Sequence, residues 1–152
     1  MKKIILNSRP SGMVNIENFN IIEEEMPGVQ EGEVLIKSIY FSVDPYMRNR
    51  MNNVESYVKP FEVDKVISGD GVAEVIESKS EHYKQGDLVV GTLPWQEYSA
   101  ISDIKIEKID SEEKLSPTAY LGVMGLTGLT AYFGLLHIGE PKPQVLLDIS
   151  KH

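Results

Sequence analysis

Residues 31–43, EGEVLIKSIYFSV, carry the strand pattern that decides the fold of this 152-residue chain. Apolar side chains recur on both sides of Ser38 with the spacing of a β-strand that bulges or twists near that residue. These side chains are Val34, Ile36, Ile39 and Phe41. The segment therefore predicts one long strand with a local irregularity.

Similar short strand patterns lie outward from this segment, separated by turn residues such as RPSG at 9–12. They occupy residues 2–8, 19–28, 69–78 and 86–102, and the last two together add two or three strands. Glycines at the starts of these two segments predict tight turns or close backbone approach. Because many short antiparallel strands must protect their edges, we expect a mainly β (α+β) fold: a curled sheet or partly open β-barrel with a few short helices.

The first predicted helix lies in DPYMRNRMNN, residues 44–53. Asp44 can cap this helix, and Pro45 suits its first position. If the helix packs on the barrel, Tyr46, Met47 and Met51 are the side chains that contact it.

A second helical region starts at Ser116, a capping residue followed by proline, and resumes at 127–139, TGLTAYFGLLHIG. Its apolar stripe consists of Leu129, Phe133 and Leu136. Gly139 is placed to end the helix, and Pro141 prevents its continuation.

Composition excludes several classes of function. Hydrophobic residues make up 41% and charged residues 25%, as in ordinary soluble domains, so we expect one domain that folds unaided. The net charge of -8 and the lack of a basic stripe argue against nucleic acid as a partner. There is no cysteine, which excludes disulfides, thiolate metal sites and a cysteine nucleophile. No apolar run suits a signal peptide or a membrane span, so we expect no membrane partner and a cytoplasmic location.

Most candidate motifs have a simpler structural interpretation. SGDGVAEV at 68–75 contains G-x-G, but Glu74 replaces the third glycine and a strand pattern follows, so a β-turn is predicted instead of a dinucleotide loop. The three histidines are isolated and predicted to lie at the surface or at helix ends. They are His82, His137 and His152. No G-x-S-x-G motif is present, and the acidic runs are typical of solvated faces.

Two stretches allow a functional interpretation beside a structural one. Tyr46, at a strand-to-helix corner, either packs the helix or offers a hydroxyl that hydrogen bonds to a substrate oxygen. The glycines of LGVMGLTGLTAYFGLL, residues 121–136, either permit close helix packing or leave room for a flat ring against the backbone. The residues alone do not decide between these alternatives.

Four segments, in this order and at these separations, resemble the catalytic domain of the zinc-independent medium-chain dehydrogenase/reductases. They are VDPYMR, GDGVAEVIES, LPWQEYS and LGVMGLTGLTAYFGLL. The resemblance is to the prostaglandin reductase or alkenal double-bond reductase branch and covers about residues 1–143. It implies a GroES-like fold, a twisted and partly open β-barrel.

The resemblance also implies the chemistry of a whole enzyme: hydride transfer from NADPH to the β-carbon of an alkenal, enone or quinone, a small-molecule electrophile. Tyr46 would line the substrate pocket and hydrogen bond to the carbonyl, and Trp95 would form an apolar wall. Leu126, Thr127 and Thr130 would lie beside the nicotinamide. Many relatives have methionine and proline at the first two of these positions.

The same resemblance implies that no zinc is bound. The positions that hold catalytic zinc in zinc-dependent relatives correspond to Ser42, Asp70 and Val123, which do not form a soft tetrahedral site. The cysteine-rich lobe that holds structural zinc in those relatives has no counterpart here.

In the family, a Rossmann domain with a glycine-rich turn follows the catalytic domain, and we expect it to be absent from this chain. Residues 144–152 are then either a stub of that domain or a rejoined C-terminal strand. On this view the chain is inactive alone, and an exposed apolar face around Leu126 and Leu129 predicts a homo-oligomer. The alternative is a non-catalytic GroES-like binding or assembly module.

Overall fold

The computed structural model describes residues 1–54, 58–110 and 115–142. The strands in these ranges are β1 (Lys2–Leu6), β2 (Phe19–Glu23), β3 (Glu33–Phe41), β4 (Ser68–Ser78), β5 (Leu88–Pro94), β6 (Tyr98–Ser102) and β7 (Glu107–Lys108). The helices are α1 (Pro45–Arg50) and α2 (Leu126–Phe133), with a π-helical extension over Gly134–Gly139. Short 3-10 turns occupy Ile16–Asn18, Asp103–Lys105 and Pro117–Leu121.

The strands form two antiparallel sheets. The larger has the order β6-β3-β4-β5-β7, and the smaller pairs β1 with β2. Strand β1 is also tied to the larger sheet, because the Ile4 N–H donates to Trp95 O at 2.8 Å. In the described part of the chain the edge strands β6 and β7 do not pair with each other, so the sheet does not close. The predicted mainly β, partly open architecture is confirmed.

Strand β3 has the irregularity that its sequence predicts. Its register with β4 shifts between Ser38 and Tyr40, and again between Leu35 and Ile36. At the first shift the Ser38 N–H and hydroxyl turn toward the loop before β6, donating to Glu97 O at 2.9 Å and Gln96 O at 2.7 Å. The bulge therefore bends β3 where the chain approaches α1.

The β-turn predicted for the G-x-G motif is wrong, because Gly69 and Gly71 lie inside β4. The reason is close packing rather than a turn. A Cβ on Gly71 would lie 3.0 Å from both Phe41 Cδ1 and Tyr40 O, so the strand needs glycine there. By contrast, Gly86 has a φ of 89° and makes the tight turn that was predicted before β5.

Two clusters of buried side chains form the core. One lies on the larger sheet and contains Val34, Ile36, Ala73, Val75, Val89, Leu93, Ile101 and Ile106. The other lies between α1, β1 and the segment before β4 and contains Leu6, Met47, Met51, Phe61 and Ile67. Burial of each large apolar side chain stabilises the fold by about 1.5–3 kcal/mol. The second cluster fixes α1, because Met47 and Met51 anchor one face of it.

The predicted helix caps are correct in position but not in chemistry. Asp44 and Ser116 precede their helices, yet neither side chain makes a capping hydrogen bond. Their backbone carbonyls accept instead, from the Met47 N–H at 3.0 Å and the Ala119 N–H at 2.8 Å. The helical segment ends at Gly139, as expected, although the left-handed residue is Glu140, with a φ of 41°.

None of the helices in the described ranges has the length and hydropathy needed to span a bilayer. The two alternatives for residues 144–152, a stub or a rejoined strand, lie outside the described residues, and so does the boundary at 143.

Candidate functional site

A cleft of about 850 Å³ lies between the sheet and the start of α2. Part of its lining comes from the beginning of α1 and from β4 and β5. The rest comes from the 3-10 turn Pro117–Leu121, the first residues of α2 and the segment 104–107. This cleft brings together three residues predicted to belong to the site, Tyr46, Leu126 and Thr127.

Tyr46 is positioned by the corner between β3 and α1. The Ser42 N–H donates to Asp70 O at 2.8 Å, which holds the end of β3 against β4. Asp44 then takes an extended conformation and Pro45 starts the helix. The next residue, Met47, is buried in the second core cluster and anchors the helix there. Tyr46 packs partly against the same cluster and also lines the cleft.

The surroundings of Tyr46 keep its hydroxyl protonated. Burial is the largest cause that raises the pKa of Tyr46 above the ordinary 10.0, and the carboxylates of Asp70 and Asp44 raise it further. Arg50 opposes them through its charge and a hydrogen bond to the phenol. The net direction is upward, so at neutral pH Tyr46 is a hydrogen-bond donor.

Arg50 is itself fixed in place behind Tyr46. Its guanidinium lies 4.0 Å from the ring centroid of Phe61, and its Nε donates to Lys59 O at 3.2 Å. Arg50 and Tyr46 are four residues apart on α1, which places their side chains on the same helix face. The phenol therefore has a defined neighbour rather than a mobile one.

The glycines at the start of α2 serve close packing. A Cβ on Gly125 would lie 2.5 Å from Tyr120 O, and one on Gly128 would lie 1.8 Å from Val123 O. The backbone of residues 120–123 thus lies directly against the start of α2, and this explains two glycines of the run without a bound ring. The Thr127 hydroxyl adds a bond across the junction, donating to Gly122 O at 3.0 Å.

Thr130 and Trp95 do not line the cleft. The Thr130 hydroxyl donates to Leu126 O at 2.7 Å, one turn back along α2. Trp95 packs with the second core cluster, its ring 5.5 Å from that of Phe41. Its indole N–H is buried without a hydrogen-bond partner in the described part of the chain. Roles for Trp95 and Thr130 toward a ligand stay predictions.

Several residues that line the cleft were missed by sequence reasoning. They are Asp70, Thr92, Ile104, Lys105, Ile106, Glu107, Tyr120, Leu121 and Met124. Residues 104–107 reach the cleft because β7 pairs with β5, through Val89 with Lys108 and Val90 with Glu107. A two-residue strand has no periodicity to detect, but the polar Asp70 within an apolar strand pattern was a usable signal.

The cleft fits one part of NADP and not another. The apolar side chains of Leu121, Leu126 and Leu129 could cover a nicotinamide ring, and the Thr127 oxygen keeps acceptor capacity for its carboxamide. Phosphates require cations or a helix N-terminus lined with free N–H groups. Lys105 is the one basic residue among the described residues that line the cleft. Among the described residues, those that line the cleft therefore suit the ring, whereas the phosphates would meet only Lys105 and the N-terminus of α2.

No group of three or more histidine and carboxylate side chains placed to hold a metal ion occurs within 1–54, 58–110 and 115–142. The residues at the three zinc-equivalent positions are Ser42, Asp70 and Val123. The absence of zinc stays a prediction from the sequence.

Relatives of this chain are named as oxidoreductases. It is 51% identical over 142 residues to YfmJ of Bacillus subtilis, which is named as an NADP-dependent oxidoreductase. That match covers 93% of this chain and 41% of the relative. It is 40% identical over 141 residues to the NADPH-dependent curcumin reductase of Escherichia coli, again 93% and 41%. Other matches are named as 2-alkenal and prostaglandin reductases.

A solved structure has the same fold. CurA of Vibrio vulnificus in complex with NADPH matches with a TM-score of 0.86 and 39% identity, over 93% of this chain and 42% of that one. The chain thus spans about two fifths of the length of these relatives. A sequence profile described as the N-terminal domain of oxidoreductase matches residues 2–109. Since that match covers most of the chain, the protein belongs to this family of oxidoreductase N-terminal domains.

Proposed function

We propose that the domain predicted over residues 1–143 is the substrate side of an NADP-dependent reductase. The reaction is reduction of a C=C bond conjugated to a carbonyl, in alkenals, enones or quinones. One observation carries the proposal: the phenol of Tyr46 and the first residues of α2, Leu126 and Thr127, line the same cleft. The names of the relatives that reduce curcumin and alkenals support the same reaction.

NADPH, when bound, supplies a hydride to the β-carbon of such a substrate. The residues of this chain act on the other end of the conjugated system, where the electrons of the C=C bond shift toward the carbonyl oxygen. Tyr46 donates a hydrogen bond to that oxygen, which stabilises the enolate as its charge develops. A proton taken from solvent water then adds to the α-carbon and completes the saturated carbonyl product.

The walls of the cleft do the positioning. Ile104, Ile106 and Leu121 provide apolar surface that excludes water from one side of a flat, conjugated substrate. The hydrogen bond from Ser42 to β4 and the buried Met47 hold Tyr46 at a fixed place in the lining of the same cleft. Orientation of this kind accelerates a transfer step without further chemical groups.

A chimaera tests the proposal. Residues 1–142 replace the matching part of the E. coli curcumin reductase, and NADPH oxidation is measured with curcumin, a simple enone and a quinone. We expect turnover with at least one of them and a loss of about 10- to 100-fold in kcat for Tyr46→Phe, with a smaller change in KM. A chimaera that binds NADPH but oxidises it with none of these acceptors would refute the proposal.

The exposed start of α2 favours a second candidate, a binding or assembly module without chemistry. Leu126 is 69% exposed and Leu129 is 50% exposed. Two exposed leucines on one helix form an apolar patch of the kind that contacts a partner. Such a module would give a folded chimaera in which Tyr46→Phe changes nothing. The cytoplasmic location and the homo-oligomeric state expected from the sequence stay predictions.

A further inference from the structure

The charges around the cleft are predominantly negative. Among the described residues that line it, three are acidic, Asp44, Asp70 and Glu107, and one is basic, Lys105. None of the three carboxylates is in an ion pair with another described residue. Lys105 and Glu107 are both exposed to solvent, which screens their charges. A ligand in the cleft therefore meets mainly the two partly buried carboxylates, Asp44 and Asp70.

Asp70 is the most firmly placed of these carboxylates. It lies within β4, paired with Thr92 of β5, and its Oδ1 accepts a hydrogen bond from the Thr92 hydroxyl at 3.1 Å. Its backbone carbonyl accepts from the Ser42 N–H. Because both its backbone and its side chain are held, the negative charge stays beside the cleft instead of swinging into solvent.

The carboxylates of Asp70 and Asp44 also affect the pKa of Tyr46. Asp70 and then Asp44 follow burial as the causes that raise the pKa of its hydroxyl, and Arg50 opposes them. Arg50 hydrogen bonds to the Tyr46 phenol and lies against the Phe61 ring, but it does not itself line the cleft. Asp70 and Asp44 do line the cleft, so a substrate carbonyl that meets Tyr46 has these two carboxylates nearby.

We propose that Asp70, assisted by Asp44, makes the cleft select uncharged conjugated carbonyl compounds and disfavour those that carry a carboxylate. This inference rests on the proposed function, because it concerns the substrate class of the same site. An enone bound at Tyr46 brings a carboxylate attached directly to its C=C bond into the same cleft as Asp70 and Asp44. Repulsion between unit charges at such distances in a partly hydrated cleft weakens binding by about fivefold or more.

A matched pair of ligands tests the inference on the 152-residue chain. The methyl ester and the free carboxylate of (E)-4-oxo-4-phenylbut-2-enoic acid share one enone and differ in one charge. Because the chain has no cysteine, neither ligand can add to a thiol. Binding to isotopically labelled protein is followed by NMR shifts of the amides that line the cleft. We expect the ester to bind at least about fivefold more tightly than the carboxylate.

Asp70→Asn removes the charge and keeps an acceptor for Thr92. It should bring the affinities for ester and carboxylate to within about twofold of each other, and Asp44→Asn should act in the same direction. Asp64→Asn removes one charge outside the cleft and should leave the preference intact, since Asn tolerates the φ of 61° found there. Raising the salt concentration should narrow the preference of the unmutated chain, which tests the inference even if Asp70→Asn folds poorly.

Equal binding of ester and carboxylate, or an unchanged preference in Asp70→Asn, would overturn the inference. Failure of both ligands to bind would overturn it as well. These outcomes are separate from the reductase assay: a chimaera that reduces both compounds equally well keeps the proposed function and removes only the selectivity.

Discussion

Tyr46 and Tyr83 are two phenols whose protonation is coupled to folding. Burial is the largest cause that raises the pKa of each above 10.0, and nearby carboxylates add to it. The folded chain therefore keeps these protons at a pH where the unfolded chain has lost them. Stability present below about pH 10 is expected to fall as the pH rises toward the folded pKa values. Urea unfolding between about pH 8 and 11 measures this slope.

The variants Tyr46→Phe and Tyr83→Phe separate the two contributions, and each should make the alkaline loss of stability shallower. Tyr83→Phe should also cost about 1 kcal/mol at neutral pH, because the Tyr83 hydroxyl donates to Ile106 O at 2.6 Å. A slope that neither substitution changes would mean that other groups cause the alkaline loss.

At the scale of elements, α2 requires glycine at position 128, whereas Gly134, directly after α2, can be replaced. Gly128→Ala would make a Cβ overlap Val123 O, so we expect the close contact between the backbone at Val123 and the start of α2 to open. The cost should be about 3 kcal/mol or more. Gly134→Ala meets nothing within 4 Å and has a helical conformation, so it should stabilise the segment by about 0.5–1 kcal/mol.

Amide hydrogen exchange over residues 126–133 measures both effects in the element itself, which global unfolding need not report. Protection should fall in Gly128→Ala and rise slightly in Gly134→Ala. Equal protection in the two variants would show that this close backbone contact is not needed for α2.

The turn before β5 is joined to β7 by a partly buried ion pair. Burial of Asp87 works to raise its pKa, but the hydrogen bond from Lys108, the Lys84 N–H and the charges of both lysines outweigh it and lower the pKa below 3.8. The Lys108 Nζ lies 2.8 Å from Asp87 Oδ2. The stability that the pair contributes is therefore present above the ordinary carboxyl pKa and lost as the pH falls through the folded one.

Lys108→Met should move the acid unfolding midpoint to higher pH and cost about 1 kcal/mol at neutral pH, measured by circular dichroism and urea unfolding. Lys142→Met, at an exposed position with no ion pair to a described residue, is the matched control. Identical acid midpoints in the two variants would remove the pair as a contributor.

The elements differ in how far their sequence predicts them. Strand β3 and its bulge were predictable because alternation of apolar side chains reports directly on which face is buried. The G-x-G within β4 was not, since only the packing of Phe41 and Leu93 against Gly71 shows why glycine lies inside a strand. The cleft wall at residues 104–107 was missed for a related reason: the pairing of β5 with β7 is a tertiary contact without a local pattern.

At the scale of the whole molecule, some individual residues of the site could be predicted from the sequence, but the way in which they come together could not. Tyr46, Leu126 and Thr127 were placed by resemblance and meet at one cleft. Trp95 was predicted to form an apolar wall; its ring packs with the second core cluster and against Phe41 of the first, and its role toward a ligand stays a prediction. A sequence shows which residues could react or bind. Whether their side chains line the cleft depends on tertiary structure, such as the bend of β3.

The exposed face of α2 and the net charge of -8 act in opposite directions on self-association. Leu129, Phe133 and Leu136 are 50%, 52% and 45% exposed and form one apolar stripe, which favours contact between two copies of the chain. The charge opposes that contact. If two copies bury this stripe against each other, the apparent molecular mass should rise with protein concentration. It should rise further with salt, because salt screens the charge repulsion and leaves the apolar attraction.

Phe133→Lys distinguishes the two forces. The substitution reduces the negative charge of the chain, which by itself would favour association, so any loss of association must come from the lost apolar surface. Met13→Lys makes the same change of charge at a residue that is 88% exposed and far from α2 in sequence, and should not weaken association. Light scattering over a wide concentration range measures all three proteins. A strict monomer for the unmutated chain, at low and high salt, would show that this apolar face does not pair with a second copy.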